Sequence, residues 1–165
     1  MSNWVNEVAT LAEFASSQPQ ATYAAYIFGL KHRWTYFLRT LPDIQDLLEP
    51  LEKAISQVLI PAITERKCNQ LDRTILALPV RPGGLGFGNP CLEASHEYAS
   101  SVKVTTPLVQ QIVSQSHELP DSLVKSAQQA VTRARSKELE DRTERIKEMA
   151  PCKSKRALDL AAEKG

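Results

Sequence analysis

The stretch "LALPVRPGGLGFGNP", from Leu76 to Pro90, decides how this chain is read. It holds four of the six glycines and three of the ten prolines. A phosphate cradle, a hinge and a structural turn all use such residues. A dinucleotide cradle needs G-x-G-x-x-G between a strand and a helix, with an acidic residue about 20 positions on. Here Gly84, Gly86 and Gly88 are spaced G-x-G-x-G, the preceding residues are leucine-rich and helix-like, and no Gly-Lys-Ser/Thr run comes after them. The structural turn is the better reading. Gly83, Gly84 and Gly86 permit positive φ and close backbone approach. Pro79, Pro82 and Pro90 fix φ and push their predecessors toward extended geometry. Leu78, Val80, Leu85 and Phe87 act as apolar pins. Arg81 is the one charge in the loop and its only candidate for a phosphate contact.

Working outward, the flanks read as helices. Trp4, Val8, Leu11, Ala12 and Ala15 recur at spacings of three and four, which marks one helix over about 3–17. Pro19 suits the first turn of a second helix, expected over about 19–39. Its stripe is Tyr23, Ile27, Leu30, Trp34, Phe37 and Leu38. "TLPD" stops it, and Asp43 is placed to cap the third helix. That helix carries an apolar stripe through Leu48, Leu51, Ile55, Leu59 and Ile63, and Pro50 and Pro61 are expected to kink or split it. Asn69 precedes a short helix over 71–78. Another helix begins near Pro90, and Pro107 either breaks it or starts a further one. From Pro120 the chain lacks Gly and aromatic residues up to Ala150 and is rich in good helix formers. It reads as one long exposed helix, with a weak stripe at Leu123, Ala127, Ala130 and Val131. "RALDLAAEKG" forms a last short helix. No sustained period-two alternation occurs, so the class is all-α: an irregular helical bundle with a Gly/Pro-rich connecting loop and a long charged C-terminal helix.

Composition narrows the function classes. Apolar residues make up 42% and charged residues 24% of 165 residues, which is ordinary for a folded domain and not for a disordered chain. Net charge is +1, so any nucleic-acid surface must be local. Residues 1–118 carry 9 basic and 11 acidic groups, and residues 119–165 carry 11 and 8. The chain therefore divides into two units: 1–118, and a charged helical extension over 119–165 for which partial disorder stays open. The extension could touch a polyanion or be only a solvated face. Cys68, Cys91 and Cys152 lack any C-x-x-C pairing and read as reduced intracellular thiols. The start "MSNWVNEVATLAEF" has no signal-peptide pattern, and no apolar run approaches the roughly 20 residues of a membrane span. The expected setting is the cytoplasm or nucleus, without membrane insertion.

Chemistry-bearing clusters are few. His32, His96 and His117 share no metal-ligand spacing, so neither a metal nor another cofactor is expected. No G-x-S-x-G elbow marks a nucleophile. The richest segment is "GLKHRWTYFLRT", where Lys31, Arg33 and Arg39 interleave with Trp34, Tyr36 and Phe37. Such a mixture can bind nucleic acid through phosphate contacts and base stacking. It also fits a core stripe with cations on its wet edge.

These segments carry a resemblance. "GLKHRWTY" (Gly29 to Tyr36), "LPDI" (Leu41 to Ile44), "IPA" (Ile60 to Ala62) and "LPVRPGGLG" (Leu78 to Gly86) resemble, in order, the region just after the polymerase palm in reverse transcriptases of animal non-LTR retrotransposons. The likeness covers roughly residues 1–115. Pro82 and Phe28 depart from the family's pattern. The resemblance implies a thumb-like or connection region that packs beside a palm and helps hold template–primer duplex. It also implies a limit, because polymerisation needs paired palm aspartates holding two metal ions. No Asp-Asp dipeptide occurs here. The expectation is therefore a non-catalytic fragment or remnant, not an enzyme alone. It would bind RNA–DNA or DNA duplex weakly through Lys31, Arg33, Trp34, Arg39 and Arg81. Pro79, Gly83, Gly84 and Gly86 would shape the loop. The alternative is a helical protein-interaction module using 120–149. If a palm covers part of the segment, an apolar patch is expected near Trp34, Phe37, Leu85 and Phe87.

Overall fold

Helix α1 (Ser2–Ala15) places Val8, Ala12 and Ala15 on one buried face, as the three-and-four spacing requires. A computed structural model describes residues 2–115 and 121–164, and among these there are helices and turns but no strand. The chain is all-α. α1 lies against α2 (Pro19–Phe28) and against the rod formed by α4 (Glu49–Ala54) and α5 (Ile60–Thr64).

The second helix is shorter than its stripe suggested. It stops at Gly29, a 3-10 turn covers Leu30–His32, and α3 (Thr35–Thr40) starts afresh. Gly29 has φ −120° and ψ −80°, outside helical geometry, and a Cβ there would lie 2.8 Å from the Ala25 carbonyl oxygen. The break turns α3 so that it packs chiefly on α7 (Pro90–Ser114). Asp43 does not cap the next helix. It sits at φ 52°, and the 3-10 turn Asp46–Leu48 begins after Gln45 with no side-chain cap.

Proline behaves differently at three sites. Pro50 occupies the first turn of α4, where a missing N–H leaves no bond unmade. Pro61 would press on the carbonyl of Gln57 in a regular α-helix. The segment before it, Ile55–Leu59, widens into a π-helical turn, so the rod from Glu49 to Thr64 is neither split nor reversed. Pro107 lies inside α7, which continues through it to Ser114. The hydroxyls of Thr105 and Thr106 donate to the carbonyls of Ser101 and Val102 beside it.

α6 (Gln70–Ala77) has the cap expected of it. Asn69 accepts from the Asp72 amide at 2.8 Å, and Asp72 accepts from the Asn69 amide at 3.4 Å. Asn89 caps α7 in a similar manner, accepting from the amides of Cys91 and Leu92.

The main core gathers Tyr26, Trp34, Leu38, Leu51, Ile55, Leu59 and Phe87. Each such side chain contributes about 1.5–3 kcal/mol on burial. Rings line up through it: Trp4 on Trp34, Trp34 on Tyr26, and Tyr26 stacked on Phe87 at 5.2 Å between centroids. This corrects the expected patch. Trp34 and Phe87 are 2% and 0% exposed and Leu85 is half-buried, so of the four only Phe37 lies open (40%), and the more exposed rings are Phe28 (80%), Tyr36 (68%) and Phe14 (52%).

The charged C-terminal segment forms α8 (Asp121–Met149) and α9 (Cys152–Lys164). α8 runs beside α7 and reaches α6. Of the expected inner stripe, Ala127 and Val131 are half-buried, while Leu123 and Ala130 are exposed and Val124 faces inward in their place. A second small core joins Leu78 of the Gly/Pro stretch to Ile146 of α8 and Leu158 of α9.

Candidate nucleic-acid interface

The Gly/Pro stretch leaves α6 and returns over its last turn. The amides of Gly84, Gly86 and Phe87 donate to the carbonyls of Pro79, Leu78 and Leu76 at 2.9, 2.7 and 3.0 Å. Those of Gly83, Leu85 and Gly88 also end on main-chain carbonyls within the stretch. A phosphate cradle needs free amides pointing at the anion. Here they are consumed. Gly84 has no room for a side chain, since a Cβ would lie 2.0 Å from the Leu78 oxygen. Gly83 and Gly86 take φ 95° and 71°, which side chains disfavour.

The loop offers carbonyls instead. Tyr23 donates its hydroxyl to Leu85 at 2.9 Å, and Lys31 donates Nζ to Gly86 at 2.9 Å. Arg73 donates to Phe87 at 2.6 Å and to Gly88 at 3.0 Å, and pairs bidentately with Glu52 at 2.6 Å on each branch. Arg73 is 7% exposed. One guanidinium thus joins α4, α6 and the loop. Sequence reasoning missed both partners. The available signal was Arg73's place four residues before buried Ala77, on the same face of α6, together with Glu52 between Leu51 and Ile55.

The candidate binding residues do not converge. Lys31 is engaged by the loop. Trp34 is in the core, so base stacking on it is ruled out in this fold. Arg33 pairs with Glu7 of α1. Arg39 pairs with Glu97 at 2.8 Å. Both guanidinium groups stay more than half exposed, and exposed pairs are worth only about 0–1 kcal/mol, so another anion can recruit them. Arg81 is exposed, with no ion pair among the described residues. Pro79 serves through its carbonyl alone.

A polar concavity lies between α7 and α8 beside Arg39. It encloses about 520 Å³ and is lined by Arg39, Glu97 and Arg135 together with the hydroxyls of Ser100, Ser101, Thr105 and Thr132. Arg135 was not foreseen. It shares the Glu97 carboxylate with Arg39, at 2.8 Å. Burial alone would raise the Glu97 carboxyl, but the hydrogen bond from Arg39 and the charges of Arg135 and Arg39 bring it below the usual carboxylate range. Two arginines against one carboxylate leave a net cation beside hydroxyl donors and acceptors. Next along α7, Glu93 lies against Gly88, and burial raises its carboxyl despite the nearby charge of Lys31.

The histidines do not meet. His32 is in the 3-10 turn, His96 Nδ1 lies 3.2 Å from Glu138, and His117 lies outside the described residues. Among the described residues no helix is long and apolar enough to cross a membrane.

Compared with known proteins, the chain matches no family model, no curated protein and no solved structure.

Proposed function

We propose that this chain is a non-catalytic helical part of a retroelement reverse transcriptase, packing beside a palm and holding template–primer duplex weakly. What supports the reading is the way its four ordered sequence blocks meet in one framework. Lys31 and Trp34 come from the first block, Ile44 from the second, Ile60 from the third, and Leu78 to Gly86 from the last. Ile44, Trp34 and Ile60 share the main core with Phe87, and Lys31 bonds Gly86 across 55 positions of sequence. The duplex-facing part of the proposal rests on Arg39, Arg135 and Arg81, whose charges remain accessible.

The test is a titration of labelled RNA–DNA duplex at low and physiological salt. Binding at low salt that weakens steeply as salt rises is expected, because phosphate contacts release counterions. Replacing Arg39 and Arg135 together by Ala should lower the magnitude of the salt slope by about 2. Absence of binding at low salt removes the nucleic-acid half of the proposal.

A second reading has its own observation. The outer half of α7 leaves Val109, Ile112 and Val113 exposed at 53, 70 and 77%, three or four residues apart, which suits docking of a helical protein partner. The same titration separates the two readings.

A further inference from the structure

A second cleft shares no lining residue with the concavity at Arg39 and Arg135. It encloses about 540 Å³ between α9 and the segment joining α5 to α6. One wall is Ile60, Ile75 and Leu76. The other is the face of α9 formed by Ala157, Leu158 and Ala161, spaced as one helical stripe. Leu158 closes the inner end against Leu78 and Ile146, and Gly83 lets it approach, since a Cβ there would lie 2.9 Å from its Cδ2. The apolar faces of α9 and the α5–α6 region therefore stand apart along most of the cleft instead of filling it.

The rim has a definite charge. Arg66 and Lys67 stand at the mouth, and neither side chain makes an ion pair or hydrogen bond among the described residues. Among the described residues Asp72 is the one acidic residue on the lining, and it is engaged by the Asn69 amide in the α6 cap. Thr64 and Ser154 add hydroxyls at the edge. An apolar slot with a cationic mouth complements a molecule with one hydrocarbon end and one anionic end. The volume falls within the roughly 300–1,000 Å³ of small-molecule sites.

We propose that this cleft binds a free single-chain amphiphilic carboxylate, its alkyl chain between α9 and Ile60, Ile75 and Leu76, its head on Arg66 and Lys67. The charge of the rim selects the head, and the two aliphatic walls hold the tail.

The probe is sodium laurate, kept below its micelle concentration and titrated calorimetrically into the full chain. Dodecyltrimethylammonium, with the same tail and a cationic head, serves as the control. The expected result is one laurate per chain, with the cationic analogue at least tenfold weaker. The variant Arg66→Glu with Lys67→Glu should weaken laurate at least tenfold while leaving the helical circular dichroism intact. Ala161→Trp should block the slot to both probes. Should that variant lose its fold, laurate-induced amide shifts in the unmodified protein, confined to Ile60, Ile75, Leu76 and α9, replace it as the readout. Multiple laurates per chain, equal affinity for the two heads, shifts outside the cleft, or binding to phosphatidylserine vesicles without binding of free laurate would each overturn the proposal.

Discussion

Residues 76–90 and the outer half of α7 contain similar apolar residues and meet opposite fates. In the first, Leu78 and Phe87 are wholly buried and the amides and carbonyls around them are paired. In the second, Val109, Ile112 and Val113 lie largely open on a regular helix. The difference does not follow hydrophobicity. It follows whether another element packs over the segment and, where the backbone is irregular, whether donors satisfy it. The Gly/Pro stretch has no helix to pair its carbonyls, so Tyr23, Lys31 and Arg73 pair them, and the stretch can be buried without orphaned acceptors. α7 pairs its own backbone, as α1 does while burying Val8, so its outer half stays open for want of a packing neighbour among the described residues.

The comparison is broken most severely at Arg73. Arg73→Ala leaves the half-buried Glu52 without its partner and frees two loop carbonyls, and should cost about 3–5 kcal/mol in denaturant unfolding. A loss below about 1 kcal/mol would mean that the ion pair is incidental to the loop. Next in size is Gly84→Ala. Its Cβ would meet the Leu78 carbonyl, and relieving that clash requires the turn to open, with an expected loss of more than about 1 kcal/mol. A substitution within about 0.5 kcal/mol of wild type would show that the turn shifts freely.

The smallest effect is a pH dependence at Glu93. Its folded-state pKa is raised by burial, so its contribution to stability is full below the unfolded carboxyl value of about 4.3 and declines as pH rises through the folded value. Glu93→Gln should remove that decline and leave the protein relatively more stable at neutral pH. Thermal unfolding across pH 4 to 7 reads it, and an unchanged slope contradicts the assignment. Glu97 has the opposite sign. Its depressed pKa gives stability that is lost as pH falls below about 4, outside most of that window.

The sequence is legible where the cause is local. Asn69 caps α6 because its acceptor and the Asp72 amide are three residues apart, and the Gly/Pro stretch is a connector because no strand precedes it. The stripe of α1 is visible because helix period alone selects its buried face. Features that depend on distant residues were hidden. Nothing near Trp34 says that Trp4 and Tyr26 will enclose it, and the partners of Arg33, Lys31 and Arg39 lie 26, 55 and 58 positions away. Gly29 falls within the single helix expected over 19–39, whereas its non-helical φ and ψ end α2 there. Pro61 and Pro107 share a sequence signal, yet both are absorbed, one by a π-helical turn and one inside a regular helix. Arg135 lies in a segment whose mixed charges gave no sign that one arginine would share a carboxylate with Arg39.

Amide hydrogen exchange tests the central claim most directly: that the Gly/Pro stretch is part of the core, held by donors from the surrounding helices, and not a mobile phosphate-binding loop. The amides of Gly86 and Phe87, bonded to Leu78 and Leu76, should exchange only with global unfolding. Those of Val109 to Val113, on the open outer half of α7, should exchange through local fraying, orders of magnitude faster. Exchange at Gly86 and Phe87 as fast as at Val109 to Val113 would contradict the account.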